Sequence, residues 1–417
     1  LGLESTRGSW GETLKNWKKE GISEDVICNK LRQIKVAPVL TAHPTEAKRL
    51  TVLDIHRDIY LLLVKKENQK WSQSEQQELE QELYTLMERL WRTGEIYLQK
   101  PTLADERNNL MHYFENVFPE VIALTDKRLI QAWEANGFST EALEWPEQFP
   151  LVQFGSWVGG DRDGHPFVTP EFTADTLIKH REAALRMINN ALFKLASNLS
   201  FSSYRNNISN EFIAKTNLKA EALGQEGEFA ILKNQKEPLR QFINLLIVQL
   251  RKDKQNGGFR TAEDLTEELK LLRTELISLG AKRIAKQWLF PVERMVQSFG
   301  FHLAKLDIRN NSTYHEKAIS QILKASGADD FDYAAWDEKK LIDFINTELK
   351  SNRPFLVEGT LCGKEADNVL GYLKEVKRYV DKYGTAGIGS VIVSMTRTLS
   401  DLLLVFLLLR EVGLSNA

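Results

Sequence analysis

Cysteine is almost missing. The 417 residues hold two, Cys28 and Cys362, far apart in the chain. So placed, they build neither a disulfide framework nor a thiolate metal cluster, and the pattern fits a reducing cytoplasm. Charge of one sign is missing too. The 55 Lys and Arg nearly cancel the 57 Asp and Glu, for a net charge of −2. Nothing in that total points to nucleic acid or an anionic membrane, so any anion binding must be local. Long apolar runs are absent. The longest, Leu402 to Leu409, is less than half the ~20 residues a spanning helix needs. No basic-then-apolar leader opens the chain, which begins Leu1-Gly2-Leu3 without Met. That start reads as a processed chain, a trimmed piece or an internal one. Internal repeats and low-complexity tracts are lacking as well.

What remains is an ordinary globular composition, 42% hydrophobic and 27% charged, which excludes a disordered chain. The length suffices for a sizeable core. Most of the sequence has helical periodicity. Ser72 and Glu75 have capping-box spacing, and Leu79, Leu83, Met87, Leu90 and Trp91 follow as one stripe expected to be buried. Thr169 and Pro170 start a second helix, carried by Leu177, Leu185, Ile188, Leu192 and Leu195. Thr261 caps a third, with Leu265, Leu269, Leu272, Leu276 and Leu279 before Gly280. The polar stretch from Ser202 to Glu237 reads as an irregular connection, and Asp253 to Arg260 as a loop.

Four short segments have strand character: Val36 to Leu40, Leu151 to Ser156, His302 to Ile308 and Ser390 to Met395. Pro38 weakens the first, because proline lacks the donor a central strand needs. Each runs into an unusual polar sequence and then a helix. Strand, loop and helix in turn predict a predominantly helical α/β fold with parallel strands. In a barrel of that kind the chemistry sits on the loops after the strands.

Those loops hold the candidate residues. Thr41-Ala42-His43-Pro44-Thr45-Glu46 follows the first strand. Pro44 can begin a helix, which sets His43 at an N-terminus with free N–H groups, a natural anion site. Lys48 and Arg49 sit in the same early helix, against the dipole, and a bound anion would offset that cost. His43 can also move a proton near neutral pH. The competing reading is a capping histidine beside two solvated cations. His43 and Glu46 alone are too few for a metal site.

Gly155 to Pro166 places four glycines within ten residues, so its backbone can approach a ligand and turn N–H groups inward. Arg162 stands between Asp161 and Asp163, which would orient its guanidinium for a carboxylate or phosphate. The alternative is a plain turn into the helix at Thr169, and the spacing excludes an EF-hand calcium loop. Arg309 closes the third strand with Asp307 as a candidate partner, a pattern that is common as a structural ion pair. Ser394 to Asp401 reads as a strand end with Thr398 or Ser400 capping the next helix. His56, His112, His180, His302 and His315 read as ordinary helix or core residues.

Taken together and in order, Thr41–Glu46, Gly155–Pro166, Leu306–Thr313 and Val393–Leu403 resemble the motifs of phosphoenolpyruvate carboxylases. The resemblance spans nearly the whole chain, and its first two motifs are highly specific. It implies a reaction of phosphoenolpyruvate with bicarbonate to give oxaloacetate and phosphate, through carboxyphosphate and the pyruvate enolate, with Mg²⁺ or Mn²⁺. It implies that His43 is the catalytic proton acceptor, that Arg309 binds the substrate phosphate and that Arg162 binds an anion. It further implies a cytoplasmic homotetramer with no nucleic-acid or membrane partner. His165 stands where the family usually has Asn, and Asn310 where it has Gln.

Family members are much longer. Their later part carries the metal-binding carboxylates, a catalytic lysine and a glycine- and arginine-rich loop, none of which occurs here. Residues 1–417 are therefore expected to be a single partial domain: the N-terminal half of a (β/α)8 barrel with long helical insertions, without metal ligands. A closed barrel needs eight strands, so this piece alone is expected to be inactive and aggregation-prone at its open edge. The competing readings are a non-catalytic helical scaffold that keeps the anion loops, and a different phosphoenolpyruvate enzyme phosphorylated on His43.

Overall fold

The structure is a computed structural model that describes residues 7–41, 49–67, 71–94, 102–164, 167–351, 353–357 and 359–414. It is a predominantly helical α/β protein with small parallel sheets. The chain divides into two compact units, one of residues 1–40 with 111–417, the other of residues 41–110.

In the larger unit, β1 (Lys35–Val36), β2 (Val39–Leu40), β3 (Leu151–Val152), β4 (Gly155–Ser156), β5 (Lys305–Asn311) and β6 (Ile388–Ser394) are all parallel to their neighbours. The order is β1-β3 in one sheet and β2-β4-β5-β6 in the other. The four segments with strand character are thus all in the sheets, side by side in chain order. Pro38 splits the first segment in two while the carbonyl pairing continues. The carbonyls of Ile34, Val36, Pro38 and Leu40 accept from the N–H groups of Leu151, Gln153, Gly155 and Trp157, all at 2.9 Å. Pro38 contributes its acceptor, while its nitrogen, on the same side, has no hydrogen to donate, so the ladder is interrupted there between β1 and β2.

β5 begins three residues later than the sequence suggests. His302 and Leu303 form a turn after the helix Phe290–Phe299, with Leu303 at φ 63°, and the strand continues through polar Arg309 and Asn311. Backbone pairing with β6, which matches Arg309 to Ile392 and Asn311 to Ser394, holds these residues extended where side-chain polarity suggested a loop. Met395 lies outside β6 at φ 56°.

Long helices cover this sheet. Thr169 caps Pro170–Asn198 by accepting from the Phe172 N–H at 3.2 Å. Ile188, Leu192 and Leu195 of that helix enter one core with Leu265, Leu269, Leu272 and Leu276 of Ala262–Ser278. Each such leucine contributes roughly 2 kcal/mol by leaving water. A second core joins Leu306 and Ile308 of β5 to the helices Ser312–Ala325, Lys364–Tyr383 and Leu399–Glu411. Residues 202–237 are not one irregular connection. They contain the helices Asn210–Ala222 and Gln225–Leu232, whose buried face is Phe212, Thr216, Ala220 and Ala230. Small residues and one Thr carry too little apolar contrast to show as a stripe.

In the smaller unit, the helices Leu50–Lys66 and Gln73–Arg92 pack together, with Lys66 paired to Glu80 at 2.6 Å. The capping box is present: the Ser72 N–H donates to Glu75 at 2.8 Å and the Glu75 N–H to Ser72 at 3.3 Å. The stripe behind it is not fully buried. Leu79 is, whereas Trp91 is 90% exposed, because one partner helix covers too little of a five-turn face. Arg49 is not inside a helix. It is the extended N-cap residue of Leu50–Lys66. Among the described residues, no helix is long and apolar enough to cross a membrane.

Candidate functional site

Beyond Ser156 the chain turns through Trp157 and Val158 into Gly159-Gly160 and rejoins the sheet. The Arg309 N–H donates to the Gly160 carbonyl, and the Arg162 N–H to the Arg309 carbonyl, each at 2.9 Å. The glycine-rich loop is thereby a continuation of the parallel ladder at the C-terminal end of β5. Only glycine fits at 160, since a Cβ there would lie 1.9 Å from the Asp307 carbonyl oxygen. Gly159, at φ +90°, packs against Thr176.

This staple sets three carboxylates and two arginines at one sheet end, with partners that differ from those the sequence suggests. Asp161 and Asp163 do not hold Arg162; they hold Arg309. Arg309 Nη1 donates to both Asp161 oxygens at 3.0 and 2.9 Å, and Nη2 donates to Asp163 at 2.7 Å. Its guanidinium lies 4.9 Å from the centre of the Trp157 ring. Asp307 does not pair with Arg309. It accepts from the Trp157 indole N–H at 3.0 Å and from the Ser390 N–H at 2.7 Å. For Arg162 the reason is alternation: neighbours along an extended chain face opposite sides, so Asp161 and Asp163 meet Arg309 across the ladder while Arg162 turns away. Asp307, two residues from Arg309, is engaged instead by the indole and the Ser390 amide.

Arg162 turns inward and is 8% exposed. Its guanidinium stacks on Tyr372 at 3.9 Å, Nη1 donates to the Gly160 carbonyl at 3.1 Å and Nη2 donates to Thr173 Oγ1. Thr173 in turn donates to the Gly159 carbonyl at 2.6 Å. Burial lowers the Arg162 pKa to about 10, still far above neutral, so a cation is fixed beneath the loop. Tyr372 lies 3.2 Å from His315 Nε2. Burial depresses the His315 imidazole to about 4, which makes it a neutral core group.

His43 and the rest of 42–48 lie outside the described residues, as do His165 and Pro166. Of the expected site residues, the structure therefore brings Arg162 and Arg309 to one sheet end, on opposite sides of the loop. Among the described residues no three His, Cys, Asp or Glu side chains converge as metal ligands. Asp161, Asp163 and Asp307 are engaged by Arg309, the indole and a backbone amide, so they do not fit a divalent cation. What the site offers is a guanidinium at the rim, backed by an indole. Asp163 is the more accessible of its two carboxylates, and an anionic ligand could replace it.

A sequence model of the phosphoenolpyruvate carboxylase family matches residues 3–417. The chain belongs to this family. It is 31% identical to the phosphoenolpyruvate carboxylase of Methylorubrum extorquens, over 99% of this chain and 45% of that protein. It is likewise 31% identical to that of Rhodopseudomonas palustris strain CGA009, over 98% of this chain and 44% of the relative. With the carboxylase of Shewanella oneidensis it shares 30% identity over 93% and 42%. The chain thus spans less than half the length of the curated carboxylases it matches.

Two residues that shape this carboxylase-family site were not singled out from the sequence. Trp157 sits inside the glycine-rich motif, and an aromatic just past a strand end was the available signal. Tyr372 lies mid-helix, more than two hundred positions from Arg162, and no local pattern marks it.

Proposed function

We propose that this chain is the phosphate-gripping, N-terminal part of a phosphoenolpyruvate carboxylase. The observation that supports this best is Arg309, held by the glycine-rich loop at the C-terminal end of β5 with an indole behind it. Four parallel strands in chain order, with helices between, support reading the larger unit as half of a (β/α)8 barrel; the proposal takes residues 1–417 together as one partial domain. Such barrels do their chemistry at this end of the strands.

In this proposal a bicarbonate oxygen attacks the phosphorus of phosphoenolpyruvate. The enol P–O bond breaks, leaving carboxyphosphate and the pyruvate enolate. Carboxyphosphate then releases CO₂ and phosphate, and the enolate methylene carbon bonds to the CO₂ to give oxaloacetate. Arg309 binds the phosphate, and His43 accepts the bicarbonate proton. Arg162, under the loop, adds positive potential and fixes the loop carbonyls rather than reaching the ligand. Every species on the path is an anion, so prealigned cations favour each step. The divalent metal of this proposal has its ligands elsewhere in the full-length protein. The same reading makes that protein a cytoplasmic homotetramer, and this chain inactive without its remainder.

The test is oxaloacetate formation from phosphoenolpyruvate and bicarbonate by the full-length protein, read by coupling to NADH oxidation. His43→Asn should leave phosphate release while oxaloacetate collapses. Oxaloacetate at the normal rate in that variant would remove His43 from its role.

A further inference from the structure

The opposite end of the sheet holds a second cavity. It lies beside residues that precede or begin β3, β5 and β6, has a volume of about 490 Å³, and is lined by Gln153, Arg181, Arg260, Thr261, Gln297 and His302, among others. That volume lies in the range of small-molecule sites. The parallel strands put it at their N-terminal ends, away from Arg309 at the C-terminal end.

Arg181 is the main feature. It comes from the long helix Pro170–Asn198, and its guanidinium lies 4.4 Å from the centre of the Tyr383 ring and 5.7 Å from that of Phe301. Its hydrogen bond is a long one, from Nη1 to the Phe301 carbonyl at 3.4 Å. No carboxylate forms an ion pair with it among the described residues. The two rings flank the fork without accepting from it, and among the described residues the Phe301 carbonyl is the one acceptor it meets, the state in which a guanidinium takes a bidentate oxyanion.

The surroundings favour an anion. Arg260 adds a second positive charge to the lining, and Glu263 is its one acidic side chain. The N-terminal end of the helix Ala262–Ser278 also borders the cavity, but Asp264 accepts from the Arg260 and Thr261 N–H groups at 2.9 and 3.1 Å, so the case for an anion rests on the arginine side chains. His302 makes no side-chain hydrogen bond among the described residues. Burial, together with Lys305, His180 and Arg181, lowers its pKa to about 4, so at neutral pH it offers one donor and one acceptor without charge.

We infer that this cavity is a binding site for a small anion that presents a carboxylate or phosphate group to the Arg181 fork, with Arg260 and His302 as secondary contacts. The inference is independent of the carboxylation reading, because none of these residues touches the Arg309 site.

The experiment is calorimetric titration of the full-length protein with succinate and, separately, inorganic phosphate. The variants are Arg181→Met, Arg260→Ala and, as a control for the other site, Arg309→Ala. A millimolar or tighter site should weaken roughly tenfold or more in Arg181→Met and a few-fold in Arg260→Ala. It should persist in Arg309→Ala. The preferred probe identifies the anion class. Arg260 is exposed, so its variant tests the idea even if Arg181→Met fails to fold. No binding of either probe at millimolar concentration, or binding lost only in Arg309→Ala, overturns the inference.

Discussion

The two ends of one parallel sheet carry arginines in opposite electrostatic states. At the C-terminal end Arg309 is held by Asp161 and Asp163 at 2.7–3.0 Å, so three charged groups sum to −1. At the N-terminal end Arg181 is held by two rings and one distant carbonyl, with no carboxylate partner among the described residues. On the proposed function, a ligand at the first end would exchange with a carboxylate of the chain; on the inferred anion site, a ligand at the second would only add. Exchange would cost affinity but keep the proposed site in register before a substrate arrives. The difference also separates two uses of one residue type: a positioned guanidinium already satisfied, and a positioned guanidinium still short of acceptors.

The comparison breaks most completely at Gly160. A methyl group there would meet the Asp307 carbonyl at 1.9 Å, which forces the loop off β5 and frees Arg309 from both aspartates. Gly160→Ala should destabilise the full-length protein by about 3 kcal/mol or more and abolish turnover, read by urea denaturation and the oxaloacetate assay. A variant of normal stability and activity would mean that the loop is not fixed through this contact. Next in size is Arg162→Ala, which empties the space against Tyr372 and strips the Gly160 carbonyl and Thr173 of their donor. A loss of about 2–4 kcal/mol is expected. Arg162→Lys should rescue little of it, because an ammonium does not reproduce the flat stack. Full rescue by lysine would show that charge alone matters there.

Arg309→Ala sharpens the comparison through kinetics. The side chain is mostly covered but sits at the rim, so its loss should lower kcat/KM for phosphoenolpyruvate by roughly ten- to a hundredfold, chiefly through KM. Phosphate or succinate binding at the opposite end should not change. Unaltered kinetics would remove Arg309 from the site.

These residues also mark what sequence reasoning reaches. The strands and the capped helices were legible because their signals are local: β-branched runs, Thr169 before Pro170, Thr261 before the Leu265–Leu276 stripe. The ends of β5 were not, because pairing with β6 holds polar Arg309 and Asn311 extended against their local preference. Arg162, Asp161, Asp163 and Arg309 were legible as residues of consequence, yet their pairing was read from adjacency along the chain. Ion partners are chosen across the ladder, and that register exists only after folding. Arg181 gave no signal at all, since its inferred significance lies in having no carboxylate partner among the described residues, and no pattern along one helix reveals which neighbours it meets in space.

Asp163→Asn is the smallest effect and the most discriminating. If the rim site works by exchange, removing the charge of the more accessible carboxylate should make the site easier to enter. Arg309 would keep Asp161 at 2.9 Å, so its position survives, and the three charged groups become two that cancel. Phosphate affinity at the rim should then rise a few-fold, since a partly exposed charge contributes at most about 1 kcal/mol. Turnover need not rise with it, because tighter ground-state binding does not lower the barrier from the bound complex. Lower rather than higher affinity would mean that Asp163 presents Arg309 to the ligand instead of competing with it, and the contrast between exchange and addition would have to be abandoned.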